Sequence, residues 1–309
     1  MAVPIVRPTG GSDLFPRELG EAIFERAAKQ SVMQQIATAQ PLTGAGRVIP
    51  VITGRPSAGW VSEAGRKPVS DMTLGTKLLE PKKLAVIVPF SKEYMRDAPN
   101  QVDIFDLIRP QIAEAFAIAF DASTIKGTST PFTNFVYQTT NVRELGTATA
   151  ATGGLYLDLV NAIGQVADEG KGYRTDTWVI DDLAETTFLG SVDTQGRPLF
   201  VDNVVSEAGP VGRMVGRQVF YTDQASTPVI AGTPPTGGMR GFGVDSRQLA
   251  YGVSSDIAYD ITDQASIVLA DNTTTLHLWQ NNLVALLAET EIAFAMNDVQ
   301  AAVRLTDNT

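Results

Sequence analysis

A long amphipathic helix at residues 102–125 is the feature that most limits how this chain can fold. Its apolar face repeats at every fourth position, at Ile104, Ile108, Ile112, Phe116 and Phe120. Asp106, Arg109 and Glu114 are predicted to lie away from that face. Either Asp106 caps the helix near Pro110, or the helix begins earlier and kinks at Pro110; Gly127 ends it. At 1.5 Å per residue the helix would be about 35 Å long, so a sizeable body must cover it.

The remaining pattern mixes helices with long strands. A helix is predicted at 156–169, a buried strand at 177–180, and a short helix ending near 189 that Asp181 or Asp182 caps. From residue 217 onward the pattern is all strand, at 218–221, 239–244, 249–253, 257–261 and 283–294. Helices and antiparallel strands are thus segregated along the chain, which predicts the α+β fold class.

The first part of the chain predicts projecting segments. Residues 1–16 are rich in Pro and Gly and predict an extended arm, followed by a short helix within 17–39. Strand patterns at 47–52 and at 78–88, the latter carried by 83–88, enclose a long polar stretch, which predicts an extended hairpin of roughly 50 Å. A lone two-stranded ribbon is marginal in water, so we expect it to pack on a neighbouring subunit. A loose surface loop is the alternative, and Trp60 counts against it.

Charge is distributed unevenly. Residues 1–126 hold 15 Lys and Arg against 13 Asp and Glu, leaving 9 against 21 for the rest of a chain whose net charge is −10. Residues 47–96 alone hold nine bases and four acids. Few aromatic residues accompany these bases and the acidic remainder would repel phosphate, so contact between copies is favoured over nucleic-acid recognition. The candidate contact residues are Trp60, Glu63, Lys67, Lys77, Lys82 and Lys83.

Composition argues against an enzyme. The chain has no Cys and a single His, His277, which removes thiolate chemistry and nearly excludes zinc. We find no nucleophile elbow, dinucleotide-binding motif or phosphate-binding loop, and Asp181-Asp182 fits a helix cap better than a metal pair. We therefore expect no catalytic residues, no cofactor and no metal. No apolar stretch is long enough to span a membrane, and no secretory signal pattern opens the chain.

The order of these elements resembles the major capsid proteins of tailed phages, with the Hong Kong 97-type fold. Three groups of segments carry the resemblance: the hairpin stretches Trp60-Val61-Ser62-Glu63 and Lys67-Pro68-Val69-Ser70-Asp71; the helix entry Val88-Pro89-Phe90-Ser91-Lys92-Glu93-Tyr94 with the helix 112–122; and the later Gly196-Arg197-Pro198-Leu199-Phe200, Val215-Gly216-Arg217-Gln218-Val219, Ala288-Glu289-Thr290-Glu291 and Ala302-Val303-Arg304. Each segment is weak alone, but their order across essentially the whole chain is specific.

The resemblance implies a domain organisation. It consists of an N-terminal arm and short helix (1–40), an extended hairpin loop (54–84), a peripheral domain (41–53, 85–131 and 253–297) containing the spine helix 102–125, and an axial α/β domain (132–252 and 298–309). Copies would form pentamers and hexamers of an icosahedral shell around packaged double-stranded DNA, without reading its sequence.

The resemblance also implies partners and a location. The arm begins almost at Met1, whereas some members carry a cleaved extension that acts as an internal scaffold. Either a separate scaffolding protein is used or the numbering begins after processing, and the initial Met favours the former. We therefore expect a separate scaffolding protein and a portal, with a decoration protein left open. The subunit would assemble in the host cytoplasm and reside in the virion. The alternative function is an encapsulin-like cellular compartment that encloses cargo enzymes.

One branch of the family forms covalent crosslinks between subunits. There a hairpin Lys attacks an Asn on a neighbour, and a Glu seven residues after that Asn acts as the base. Asn282 and Glu289 have this spacing here, and Lys67 or Lys77 lies near the hairpin tip. Such a Lys needs its pKa lowered by burial, so we expect no crosslink.

Overall fold

A computed structural model describes residues 31–54, 56–93, 104–149, 153–191, 212–228, 238–269 and 273–307. The predicted arm, most of the short helix that follows it, and the turn at 196–200 lie outside the described residues. Within them the helices are α1 (Val32–Ile36), α2 (Ile104–Asp121), α3 (Gly154–Asp168) and α4 (Glu185–Leu189). A π-helical segment, Ala122–Lys126, directly follows α2.

Fourteen strands are found in the same residues. They are β1 (Thr38–Ala39), β2 (Arg47–Gly54), β3 (Thr73–Leu79), β4 (Lys82–Ser91), β5 (Val142–Glu144), β6 (Thr177–Ile180), β7 (Gly212–Met214), β8 (Arg217–Tyr221), β9 (Gly238–Val244), β10 (Leu249–Thr262), β11 (Ser266–Val268), β12 (Thr275–His277), β13 (Leu283–Met296) and β14 (Ala302–Asp307). The mixture of helices and mostly antiparallel strands confirms the α+β class.

The described residues divide into two compact units, and the first takes those that lie within 82–119 and 253–292. In this unit β4 and β13 run antiparallel over ten residue pairs, and β10 lies on the other side of β13. The apolar face of α2 packs on this sheet through the buried residues Phe90, Ile112, Phe116, Leu286 and Ala288. The amphipathic pattern of the sequence therefore identified the correct packing face of the helix.

The structure decides where Pro110 lies in the long helix and corrects the expected exposure of Glu114. The helix begins at Ile104, so Pro110 lies inside it and not in its first turn. Gly127 ends the π-helical segment with φ of +77°, as predicted. Glu114 was expected to point away from the apolar face, but only 4% of it is exposed. That prediction is wrong because the buried arc of the helix is wider than the fourfold repeat, and Glu114 has a polar or charged interaction there.

The second unit takes the described residues that lie within 31–81, 120–252 and 293–309, and it contains a six-stranded sheet. The strand order is β5-β14-β9-β6-β8-β7, with β9 antiparallel to both of its neighbours and β6 parallel to β8. Helix α3 packs on β5 and β14 through Leu155, Leu159 and Val166. Trp178 at the centre of the sheet is completely buried.

The N-terminus of the short helix α4 differs from the prediction that Asp181 or Asp182 caps it. It begins at Glu185 with Ala184 as its N-cap, so neither Asp181 nor Asp182 caps it. A turn precedes the helix, in which the Ala184 amide donates to the Asp181 carbonyl at 2.9 Å. Because of this turn the helix starts only at Glu185, four residues after Asp181.

The hairpin also differs from the predicted pairing. Strand β2 pairs with β3, from Arg47 opposite Leu79 to Gly54 opposite Thr73, whereas β4 pairs with β13. The prediction that residues 83–88 form the return strand is therefore wrong. Pro81 lies between β3 and β4 and lacks an amide hydrogen, which helps to end one strand before the next begins. The paired ribbon is about 25 Å long, with irregular backbone over residues 56–72 between its strands.

Candidate assembly surface

The β2–β3 ribbon exposes one apolar face. Val48 lies opposite Leu78 and Ile52 opposite Leu74, which places all four side chains on the same side. Between 58% and 63% of each is exposed. On the opposite side, Leu79 is completely buried. The ribbon is thus attached to its own chain by one face and leaves a row of large apolar side chains in solvent.

The irregular segment 56–72 between the two strands carries a few exposed apolar side chains. Trp60 is fully exposed, and Val69 and Met72 are largely exposed. The segment is closed across its base by a hydrogen bond of 2.8 Å from the Ser57 amide to the Ser70 hydroxyl. Burying a large apolar side chain is worth about 1.5–3 kcal/mol, so Trp60 and its neighbours gain stability only from a contact outside the described fold.

A groove lies beneath the ribbon, within the second unit. Its cavity volume is about 710 Å³, and its lining includes Ile49, Val51, Lys77, Arg247, Leu249 and Asn297. Arg247 is bound to Asp245 at 2.6 Å. Lys77 forms no ion pair with any residue that the structure describes, so its charge is available to a partner.

The other predicted cationic contacts lie in two different environments. Lys67 and Glu63 are exposed in the irregular segment. Lys83 instead binds Glu289 at 2.9 Å across the β4–β13 pair, and this hydrogen bond raises the pKa of Lys83. Lys82 also interacts within the chain. Acids at Glu289 and Glu291 on one face of a strand were a sequence signal for this local pairing.

Asn282 and Glu289, the candidate residues for a crosslink that we do not expect, have separate partners within the chain. The Asn282 side-chain amide donates to Glu93 at 3.3 Å, and the Asn282 carbonyl accepts from the Lys92 amide at 3.0 Å. Glu289 lies seven residues further along the strand, about 23 Å from Asn282. It is bound to Lys83. The carboxylate beside Asn282 is therefore Glu93. The absence of a crosslink remains a prediction.

A buried carboxylate that the sequence pattern did not predict, Asp121, lies at the end of α2. It accepts hydrogen bonds from the Ser31 hydroxyl at 2.6 Å, the Val32 amide at 2.9 Å and the Met33 amide at 3.1 Å. Burial raises its pKa to about 6, although these hydrogen bonds oppose the shift. Asp121 thereby attaches the start of α1 to the end of the long helix. The sequence signal was an acid immediately after Phe120, the last apolar position of the helix.

The remaining candidate groups have structural partners. His277 is exposed, with Nδ1 2.8 Å from the Ser266 hydroxyl. Asp181 is buried with its carboxylate 3.9 Å from Arg240, and burial raises its pKa. In the described part of the chain, no three His, Asp or Glu side chains are grouped so as to hold a metal ion. No described helix is long and apolar enough to cross a membrane.

The chain is similar to known phage capsid proteins over most of its length. A family model described as the phage capsid family matches residues 11–306. The chain is 34% identical over 295 residues to a probable major capsid protein of Mycobacterium phage D29, covering 94% of this chain and 89% of the relative. It is 34% identical over 317 residues to the corresponding protein of Mycobacterium phage L5, covering 98% and 93%.

The solved structures agree at the level of the fold. A chain from Mycobacterium phage Adephagia superposes with a TM-score of 0.73 at 19% identity, over 96% of both chains. This likeness spans both compact units. Together with the family match over nearly the whole length, it shows that the chain belongs to the phage capsid family, with a Hong Kong 97-type fold.

Proposed function

We propose that this chain is the major capsid protein of a tailed phage and that its copies build an icosahedral shell. The observation that carries the proposal is the exposed apolar face of the β2–β3 ribbon, together with the fully exposed Trp60. Exposed apolar patches of this kind mark interaction sites. The family match and the capsid protein relatives support a second copy of the same chain as the partner.

The proposal assigns roles to parts of the chain. Copies form pentamers and hexamers, in which an axial domain (132–252 and 298–309) faces the symmetry axis. The peripheral domain (41–53, 85–131 and 253–297) carries the spine helix, and the hairpin loop reaches a neighbouring copy. The shell encloses double-stranded DNA without sequence recognition, consistent with the acidic net charge of −10.

Further partners follow from the same proposal. A separate scaffolding protein guides assembly in the host cytoplasm, and a portal occupies one vertex; a decoration protein stays optional. The function needs no catalytic group, cofactor or metal. Nothing in the comparisons favours the alternative of an encapsulin-like compartment.

Assembly can be tested directly. The chain should be produced alone and with candidate scaffolding proteins from its own genome, then analysed by sedimentation and electron microscopy. We expect closed shells of uniform size. Only a species of about 33 kDa under every condition would overturn the proposal.

The crosslink prediction has its own measurement. Denaturing gel electrophoresis of mature particles should give a single band at the monomer mass, because Asn282 and Glu289 each have other partners. A ladder of multimers would show that the subunits are covalently joined.

A further inference from the structure

Strand β10 has a long open edge in the first unit. Near its start, Ala250 and Tyr251 pair with β1. Beyond them, no described strand pairs with the edge of residues 253–262 that faces away from β13. Ten residues of strand span about 33 Å, and none of them is Pro. An open edge of this length is a ready template for a strand from another chain.

The two faces of this open segment differ in character. Val253, Tyr259 and Ile261 lie on one face and are between 37% and 50% exposed. Asp256 and Asp260 lie on the other face. Neither carboxylate forms an ion pair with a described residue, and the segment contains no cation. The edge thus presents two unpaired negative charges beside an apolar strip.

Strand β3 has the complementary properties. It belongs to a two-stranded sheet, so its edge away from β2 is open within the described residues. It contains no Pro, whereas β2 contains Pro50, which cannot donate a main-chain hydrogen bond. Leu74 and Leu78 are exposed on one face, and Lys77 lies on the opposite face. Lys77 is also without an ion pair, as described above.

We infer that β3 of one copy adds to the open edge of β10 in a second copy and extends its sheet. The alternation of the two strands supports this pairing. When the apolar face of β3 is aligned with the apolar face of β10, Lys77 falls on the same face as Asp256 and Asp260. Opposite charges then meet across the new strand pair and restrict its register.

This inference rests on the proposed shell function and makes it more specific. Main-chain hydrogen bonds give such a pairing its strength, and the side chains on each face give it selectivity. The competing arrangement places the ribbon on the exposed side of helix α2 of the neighbour, without strand pairing. Ala115 is exposed on that side of the helix, so a Cys at this position can detect this arrangement.

Disulfide trapping distinguishes the two arrangements, because the natural chain has no Cys. Thr76→Cys lies on the apolar face of β3 and is combined in turn with Ser255→Cys, Tyr259→Cys or Ile261→Cys. These three positions share one face of β10 and sample different registers. A fourth variant combines Thr76→Cys with Ala115→Cys. A disulfide forms only when the two Cβ atoms approach within about 4.5 Å.

The readout is a non-reducing gel of oxidised particles. We expect at least one of the three β10 combinations to convert most chains into disulfide-linked dimers or larger species, and the Ala115 combination to give only traces. Shells that form normally but crosslink only through Ala115 would overturn the strand addition while leaving the proposed function intact. Failure of the natural chain to form shells under any condition would instead count against the proposed function.

A charge exchange provides a second test. Lys77→Glu should reduce the yield of shells by at least about tenfold, because like charges then face each other across the contact. Adding Asp256→Lys and Asp260→Lys to this variant should restore the yield. Arg213→Glu, a reversal at an exposed position on β7 outside the inferred strand pair, is the matched control and should lower the yield less than Lys77→Glu does. If the triple variant assembles no better than Lys77→Glu, the inferred pairing of faces is wrong.

Discussion

The six-stranded sheet buries its large apolar side chains, whereas the β2–β3 ribbon exposes many of its own. Trp178, in the centre of the sheet, is completely buried, whereas Trp60, between the strands of the ribbon, is fully exposed. All four residues of β6 are buried, whereas the ribbon leaves Val48, Ile52, Leu74 and Leu78 in solvent. The sheet stabilises the subunit by itself. No described residue of the chain covers the apolar surface of the ribbon, so we expect its contribution to come from a contact in the assembled state.

Replacing the buried tryptophan should have the largest effect on the subunit. Trp178→Ala removes a large side chain from a packed core, and we expect the free energy of unfolding to fall by about 3–5 kcal/mol. Urea denaturation of the unassembled subunit measures this change. A loss below about 1 kcal/mol would show that the sheet does not supply the stability assigned to it.

The buried carboxylate predicts a pH dependence of stability. The pKa of Asp121 is about 6 in the folded chain against an ordinary value of 3.8, so the folded state binds the proton more tightly. The free energy of unfolding should therefore fall as the pH rises from about 4 to 6, by at most about 3 kcal/mol, and stay constant above that range.

Asp121→Asn provides the control, because it cannot titrate. The variant should lose this part of the pH dependence, although it also loses the acceptor for the Val32 amide, worth about 1 kcal/mol. Urea denaturation at several pH values compares the two proteins. An unchanged slope in the variant would assign the pH dependence to other groups.

The turn between β7 and β8 allows the sheet to be stabilised further. Val215 has φ of +52° and Gly216 has φ of +75°, in a two-residue connection that favours Asn-Gly. A β-branched residue is strained in this conformation, but Val215 also packs partly against the core of the sheet, so Val215→Asn should raise the free energy of unfolding by no more than about 0.5 kcal/mol. Gly216→Ala places a side chain at positive φ and should lower it. Equal effects of the two changes would contradict the strain argument.

The exposed tryptophan should have the smallest effect on the subunit and a large effect on the shell. Trp60→Ala should change the free energy of unfolding by no more than about 0.5 kcal/mol, since the side chain is fully exposed. Shell yield by electron microscopy should nevertheless fall. Normal assembly by this variant would remove Trp60 from the contact surface, and a large loss of stability would assign it to the subunit core.

The sequence by itself determined the elements whose pattern is local. Apolar residues at every fourth position identified the long helix and its packing face, and Gly127 marked the end of its π-helical extension. The strands after residue 217 were also predicted from alternation and apolar content, which depend only on neighbours along the chain. The resemblance to phage capsid proteins rested on the order of such local segments and was confirmed by the family match.

Only the tertiary structure decided which distant residues meet. Periodicity predicted strands at 47–52 and 83–88 but not their partners, because a strand pattern specifies which face is apolar and not which edge it joins. Asp121 contacts Ser31 across ninety positions of sequence, and Lys83 meets Glu289 across more than two hundred. Contacts of this kind depend on how the whole chain is packed, so no local sequence pattern predicts them. The open edges of β3 and β10 also depend on the tertiary structure, since an edge is open here because no described strand pairs with it.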